Sequence, residues 1–191
     1  MNVHPFSSES VLLRAFEQSD VDHLHEILNH EDLTGRRYVP WRFPPDVPLS
    51  ITQVGEIIQH WSDEKKGFHL AILSQSIHKI IGHTSASWGW DPHSPDVSVV
   101  IDPPHQRKGL GSETLKLVVN YLVRRTPAHN ISTWISEWNQ EGRDFTSAMG
   151  FRDSGRMRRV EIYGGKTFDL ILMDILRPEW IKMSGGDEHG A

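Results

Sequence analysis

Cysteine is absent from the sequence, which excludes disulfide staples and thiolate metal sites and is compatible with a reducing cytoplasm. Long apolar runs are missing too. Nothing approaches the roughly 20 apolar residues that a membrane-crossing helix needs, and residues 1–10 lack the basic start and apolar stretch of a secretory signal. A cytoplasmic protein with no membrane partner is expected. Nor is there a surplus of positive charge: 20 lysines and arginines stand against 25 aspartates and glutamates, a net −5. Non-specific nucleic-acid binding therefore has no global electrostatic support, whereas a cationic small molecule or basic peptide would be attracted. None of the 12 histidines forms an i, i+4 pair backed by a carboxylate, so no metal is expected. No internal repeat is found.

What is present is a chain of 191 residues, 37% hydrophobic and 24% charged, enough for one sizeable core. Val11 to Ala15 reads as a strand. Ser19-Asp20-Val21-Asp22 after it resembles a capping box opening a helix lined by Val21, Leu24 and Leu28. Residues 31–49, with five prolines and glycines among Tyr38, Trp41 and Phe43, form a stiff aromatic loop of the length that often binds something. Val54, Ile57, Ile58 and Trp61 then fall at helical spacing, in a helix predicted to end near Gly67. Phe68 to Leu73, Lys79 to Trp90 and Asp96 to Ile101 suggest a three-stranded meander. Leu115, Val118, Val119 and Leu122 mark the clearest helix, predicted from Ser112 to Arg125. A strand (Ile131 to Ser136), a weaker helix (Asn139 to Met149) and a hairpin turned at Gly164-Gly165 follow. The expectation is an α/β fold: one domain over 1–180 and a frayed polar tail over 181–191.

Pro103 and Pro104 must end the strand before them. The next residues, His105-Gln106-Arg107-Lys108-Gly109-Leu110-Gly111, are basic and glycine-containing and lead into the start of a helix. Loop amides, the positive end of the helix dipole, Arg107 and Lys108 all favour an anion such as a pyrophosphate there, and Glu113 would have to face away from it. A plain strand-to-helix turn with solvated basic residues would look much the same. A dinucleotide fold lacks its third glycine, since Thr114 stands in that place, and a P-loop lacks its Gly-Lys-Ser/Thr triplet.

Gln106-Arg107-Lys108-Gly109-Leu110-Gly111 also resembles the Gln/Arg-x-x-Gly-x-Gly/Ala signature of the GNAT N-acetyltransferase superfamily. The resemblance runs from about Val11 to Trp180: helix pair, meander, signature loop, long helix and strand, then Asn139 with Met149-Gly150-Phe151, similar to the family's Asn…Leu-Gly-Phe segment. The closing Tyr163-Gly164-Gly165-Lys166 hairpin with Leu176-Arg177-Pro178-Glu179-Trp180 looks like that of ribosomal-protein N-terminal acetyltransferases of the RimJ/RimL type. The resemblance implies a mixed, mostly antiparallel sheet of about seven strands flanked by helices, with a splayed strand pair holding acetyl-CoA as cosubstrate. It further implies that the backbone of Val99, Val100 and Ile101 pairs with the pantetheine, that Gln106, Arg107, Lys108, Gly109, Leu110, Gly111 and Ser112 hold the pyrophosphate, and that Asn139 contacts the pantetheine. Asn139 is equally an ordinary helix N-cap.

Amide formation needs a neutral amine, and an alkyl amine near pKa 10.4 must first lose a proton. Asp96, at the start of the strand entering the loop, is the candidate catalytic base, and a solvated strand-edge carboxylate is its plain alternative. His83 is a second candidate. The backbone N–H near Ile101 is what the resemblance implies for the oxyanion. Tyr38, Trp41, Trp88 and Trp90 are candidates for the acceptor pocket, with core filling as the alternative for tryptophans. Many relatives carry a tyrosine that protonates the leaving thiolate where this chain has Thr146. The expected activity is acetyl transfer to a primary amine by direct attack on the thioester, in a monomer or homodimer. The alternative is a non-catalytic acyl-CoA-binding or regulatory module.

Overall fold

In a computed structural model, which describes residues 6–33, 36, 39, 47–89 and 91–185, the apolar alternations and stripes become strands and helices. In chain order these are β1 (Val11–Arg14), α1 (Val21–Leu28), α2 (Ile51–Ser62), β2 (Gly67–Ser74), β3 (Lys79–Trp88), β4 (Pro95–Ile101), α3 (Leu110–Arg125), β5 (Asn130–Ser136), α4 (Gln140–Ala148), β6 (Arg152–Tyr163), β7 (Lys166–Leu176) and α5 (Arg177–Met183). The strands form one seven-stranded sheet in the order β1-β2-β3-β4-β5-β7-β6. β1 and β2, β2 and β3, β5 and β7, and β6 and β7 run antiparallel. β4 and β5 are parallel, with Asp96 opposite Ser132. A parallel neighbour cannot be reached by a tight turn, and α3 supplies the crossover.

The chain falls into two compact units, one of Met1–Ser87 and Ser98–Val118, the other of Trp88–Val97 and Val119–Ala191. In the first, Leu24, Ile27 and Leu28 of α1 and Val54, Ile57, Ile58 and Trp61 of α2 share a buried cluster with Ala71, Ile80 and Val100. α2 starts where a capping box fixes it: Ser50 Oγ accepts from Gln53 N and Gln53 Oε1 accepts from Ser50 N. It ends at Ser62, and Gly67 already belongs to β2.

The expected cap of α1 is different. Gln18–Asp20 form a short 3-10 turn before the helix, and Asp20 makes no side-chain cap bond to it. Its carboxylate instead accepts from the Arg14 guanidinium at 2.7 and 2.8 Å and from Glu17 N at 2.8 Å. Two parallel bonds from a guanidinium, ionic on both sides, outweigh the single bond that a neutral backbone N–H would give as a cap. These bonds hold the Asp20 carboxyl below its ordinary range against the opposing pull of burial.

In the second unit Ile131, Ile171, Met173, Ile175 and Trp180 are almost fully buried. Trp180 Nε1 donates to Asn120 Oδ1 at 2.8 Å, so the indole is buried with its polar atom satisfied. The β6–β7 hairpin turns through Gly164 and Gly165 at φ 56° and 75°, the left-handed pair that a two-residue hairpin loop requires.

Candidate active site

Asp102 N donates to Ile81 O at 2.8 Å, fastening the end of β4 to β3 within the first unit. Pro103–His105 then make a 3-10 turn, closed by His105 N on Asp102 O (2.8 Å) and Gln106 N on Pro103 O (3.1 Å). Gln106 Nε2 reaches back to Ile101 O at 2.8 Å, and Lys108 Nζ to Pro104 O at 2.8 Å. Two side chains expected at the cofactor thus brace the loop that carries them. Arg107 and Gly109 are both left-handed, at φ 60° and 80°. Residues of this conformation occur in loops whose successive backbone N–H groups can face a single anion.

α3 starts at Leu110, two residues earlier than expected. The left-handed turn at Gly109 sets this start, because it leaves the Gly109 carbonyl aimed at Glu113 N, 3.1 Å away. Gly111 is therefore helical, and its contribution is the missing side chain rather than a positive φ. The amides of Leu110, Gly111 and Ser112 lie in the first turn, where a helix has no carbonyl to offer them. Glu113, expected to face away, has its carboxylate on Ser8 Oγ at 2.7 Å. The space beside the loop is open: apart from its chain neighbours, no atom lies within 4 Å of a Cβ built on Gly109.

β4 is held closely by β3 just before the loop. Thr84 Oγ1 donates to Ser98 O at 2.7 Å, and the hydroxyls of Ser85 and Ser98 are 2.7 Å apart. Gly82 at φ 155° sits where a Cβ would lie 2.0 Å from Val100 O. Val99 is half-buried, while Val100 and Ile101 are buried.

Asp96 belongs to the second unit and is half-buried, with Oδ1 accepting from the hydroxyl of Ser132, its ladder partner. His83, the second candidate base, is fully buried with its ring 5.0 Å from that of Trp61. That is a core position. A further histidine escaped the sequence reading: His69 lies flat on Trp61, centroids 4.8 Å apart and 6° from parallel. Burial pushes its pKa down to about 4, so it is neutral at physiological pH. The signal available was alternation, since His69 is two residues from Ala71, which is opposite His83.

Asn139 caps α4, its Oδ1 accepting from Gly142 N at 3.1 Å. Thr146 is 4% exposed on the same helix. Trp88 is the last residue of β3, and its Nε1 donates to Pro92 O at 3.0 Å. β3 ends at Trp88 and Gly89 is not part of it; Tyr38, Trp41, Phe43 and Trp90, named as expected pocket or strand residues, lie outside the described residues. Among the described residues, no helix is long and apolar enough to cross a membrane.

A mixed sheet in which the parallel pair β4 and β5 is bridged by a helix that opens on a basic loop with two left-handed residues defines an α/β protein. The chain belongs to the GNAT acetyltransferase family, since residues 10–152 match the family described as Acetyltransferase (GNAT) domain. Members of this family use acetyl-CoA as cosubstrate and an amine as acceptor. Several solved structures share the fold. An acetyltransferase (GNAT family) from Bacillus anthracis is 18% identical, with 91% of this chain and 98% of that one covered at a TM-score of 0.77. Mutant forms of the spermidine/spermine N-acetyltransferase SpeG from Vibrio cholerae are 19% identical, covering 93% and 99% at 0.74. Spermidine N-acetyltransferase from Vibrio cholerae in complex with CoA and spermine is 18% identical, covering 91% and 99% at 0.76.

Proposed function

We propose that this protein transfers the acetyl group of acetyl-CoA to a primary amine, either a protein N-terminus or a small-molecule amine. The observation that carries the reading is the cradle: left-handed Arg107 and Gly109, braced by Gln106 and Lys108, deliver the loop to the first turn of α3. The amides from Arg107 through Ser112 would hold the pyrophosphate, and the backbone of Val99 to Ile101 would align the pantetheine. The acceptor class has two supports of different kind. The Tyr163 to Trp180 segment resembles ribosomal-protein N-terminal acetyltransferases, and a relative of the same fold is described with CoA and spermine. A net charge of −5 favours a cationic acceptor in either case.

Acetyl-CoA supplies an activated acyl group on a thiol of ordinary pKa near 8.5, a good leaving group. The amine nitrogen bonds to the acyl carbon, the carbon–sulfur bond breaks, and the amine proton must go elsewhere. Asp96 would accept that proton. Its Oδ1 is steadied by Ser132, and it precedes Val99 by three residues in β4, so it enters the same strand that would carry the cofactor. The N–H of the strand near Ile101 would donate to the carbonyl oxygen as negative charge develops there.

The direct test is a panel of amines (peptide N-termini, polyamines, amino acids and amino sugars) incubated with acetyl-CoA and scored by release of free thiol. Release with at least one amine, well above hydrolysis of the thioester, is expected. Silence across the panel contradicts the reading.

A further inference from the structure

We propose that Ser8 is a positioning residue for the cofactor cradle: by binding Glu113 it holds a carboxylate away from the phosphate-binding start of α3. The proposal rests on the acetyl-CoA reading of that loop. Glu113 lies in the first turn of α3 and its N–H bonds to Gly109 O. Helical side chains lean toward the N-terminus of their helix. Unrestrained, this carboxylate would fold back over the amides of Leu110, Gly111 and Ser112. A carboxylate is favoured there by the same N–H groups and dipole that favour a phosphate, so the two anions compete for one place.

Ser8 intercepts the carboxylate from 105 residues away, its Oγ donating to Glu113 Oε2 at 2.7 Å. The alternative acceptor of that proton, Val11 O, is more distant at 3.3 Å. Ser8 is itself fixed, since its N–H donates to Val11 O at 2.9 Å, its Oγ accepts from Val11 N at 3.1 Å, and its carbonyl accepts from Gln75 Nε2. Ser8 and Glu113 are both half-buried, which weakens solvent screening of the charge. The segment preceding β1, remote in sequence from the signature loop, thereby sets the charge that the loop presents.

A double-mutant cycle on the full chain tests this, with acetyl-CoA affinity read by titration calorimetry at low and high salt. Ser8→Ala should weaken acetyl-CoA binding about two- to fivefold at low salt, the range expected for one charge at a helix end, and by less at high salt. In a Glu113→Gln background the same Ser8→Ala change should do nothing, because no charge is left to restrain. Wild-type affinity in Ser8→Ala overturns the proposal. So does an equal loss in both backgrounds, which would mean that Ser8 acts through the turn at Val11. If the wild type itself binds no acetyl-CoA, the cofactor reading fails and takes the proposal with it, an outcome separate from the other two.

Discussion

At the scale of single residues, Asp96 and His69 separate two kinds of half-buried titratable group. Asp96 keeps a polar partner, and asparagine would preserve the oxygen that accepts from Ser132 while removing the basic carboxylate. Asp96→Asn should therefore slow acetyl transfer about a hundredfold below roughly pH 8, with partial recovery at higher pH as more of the amine is already neutral. An unchanged pH–rate profile removes Asp96 from the mechanism. His69 has no such role, because a ring held to a pKa of about 4 and stacked on Trp61 serves the core. Its consequence is for stability. The folded pKa lies below the ordinary 6.5, so between those values the unfolded chain binds more protons than the folded one. Stability from this group is complete above pH 6.5 and is lost as pH falls toward 4. Denaturant midpoints of the wild type should decline across that window. His69→Phe, which keeps a ring on Trp61 and cannot titrate, should decline less; parallel curves for the two proteins would contradict the assignment.

Among elements, the β3–β4 contact bears most directly on the cradle. Gly82 allows Val100 O to approach where a Cβ would be 2.0 Å away, at a φ of 155° that side chains rarely adopt. Gly82→Ala should lower unfolding free energy by about 1–3 kcal/mol through overpacking, measured by chemical denaturation, and a neutral result would mean that β4 yields easily. This contact was not legible in the sequence, because nothing local to Gly82 announces that Val100 lies across from it. The elements themselves were legible wherever one apolar stripe decides them: Val54 to Trp61 on α2 and Leu115 to Leu122 on α3 are buried as their spacing requires. Ends were less legible. Asn139 caps α4, one of the two readings its position offered, whereas Arg14 draws the expected cap Asp20 away from α1. In the site, a left-handed turn at Gly109 is what a glycine suggests, whereas Arg107 at φ 60° is not announced by its residue type and Gly111 is helical; a Glu113 that faces away follows only from reading the loop as an anion site. Ser132 on Asp96 and Ser8 on Glu113 depend on where the fold brings distant segments, and no local pattern encodes that; Gln106 and Lys108 brace the loop through carbonyls only five and four residues back, which the conformation of the loop itself decides.

For the whole molecule, the pieces agree on one ligand. The seven-stranded mixed sheet places its parallel pair around the α3 crossover, and the basic loop between β4 and α3 is shaped by two left-handed residues and one helical glycine. A ligand bound only by the folded state raises stability by RT ln(1 + [L]/Kd), about 2.7 kcal/mol at a hundredfold excess over Kd. The most direct measurement is thermal unfolding with and without acetyl-CoA, on the wild type and on Gly111→Asp, whose side chain and negative charge would fill the first turn of α3. An upward shift is expected for the wild type and none for a folded Gly111→Asp. An unshifted wild type, or a folded variant protected as well as the wild type, would contradict the acetyl-CoA reading of the loop.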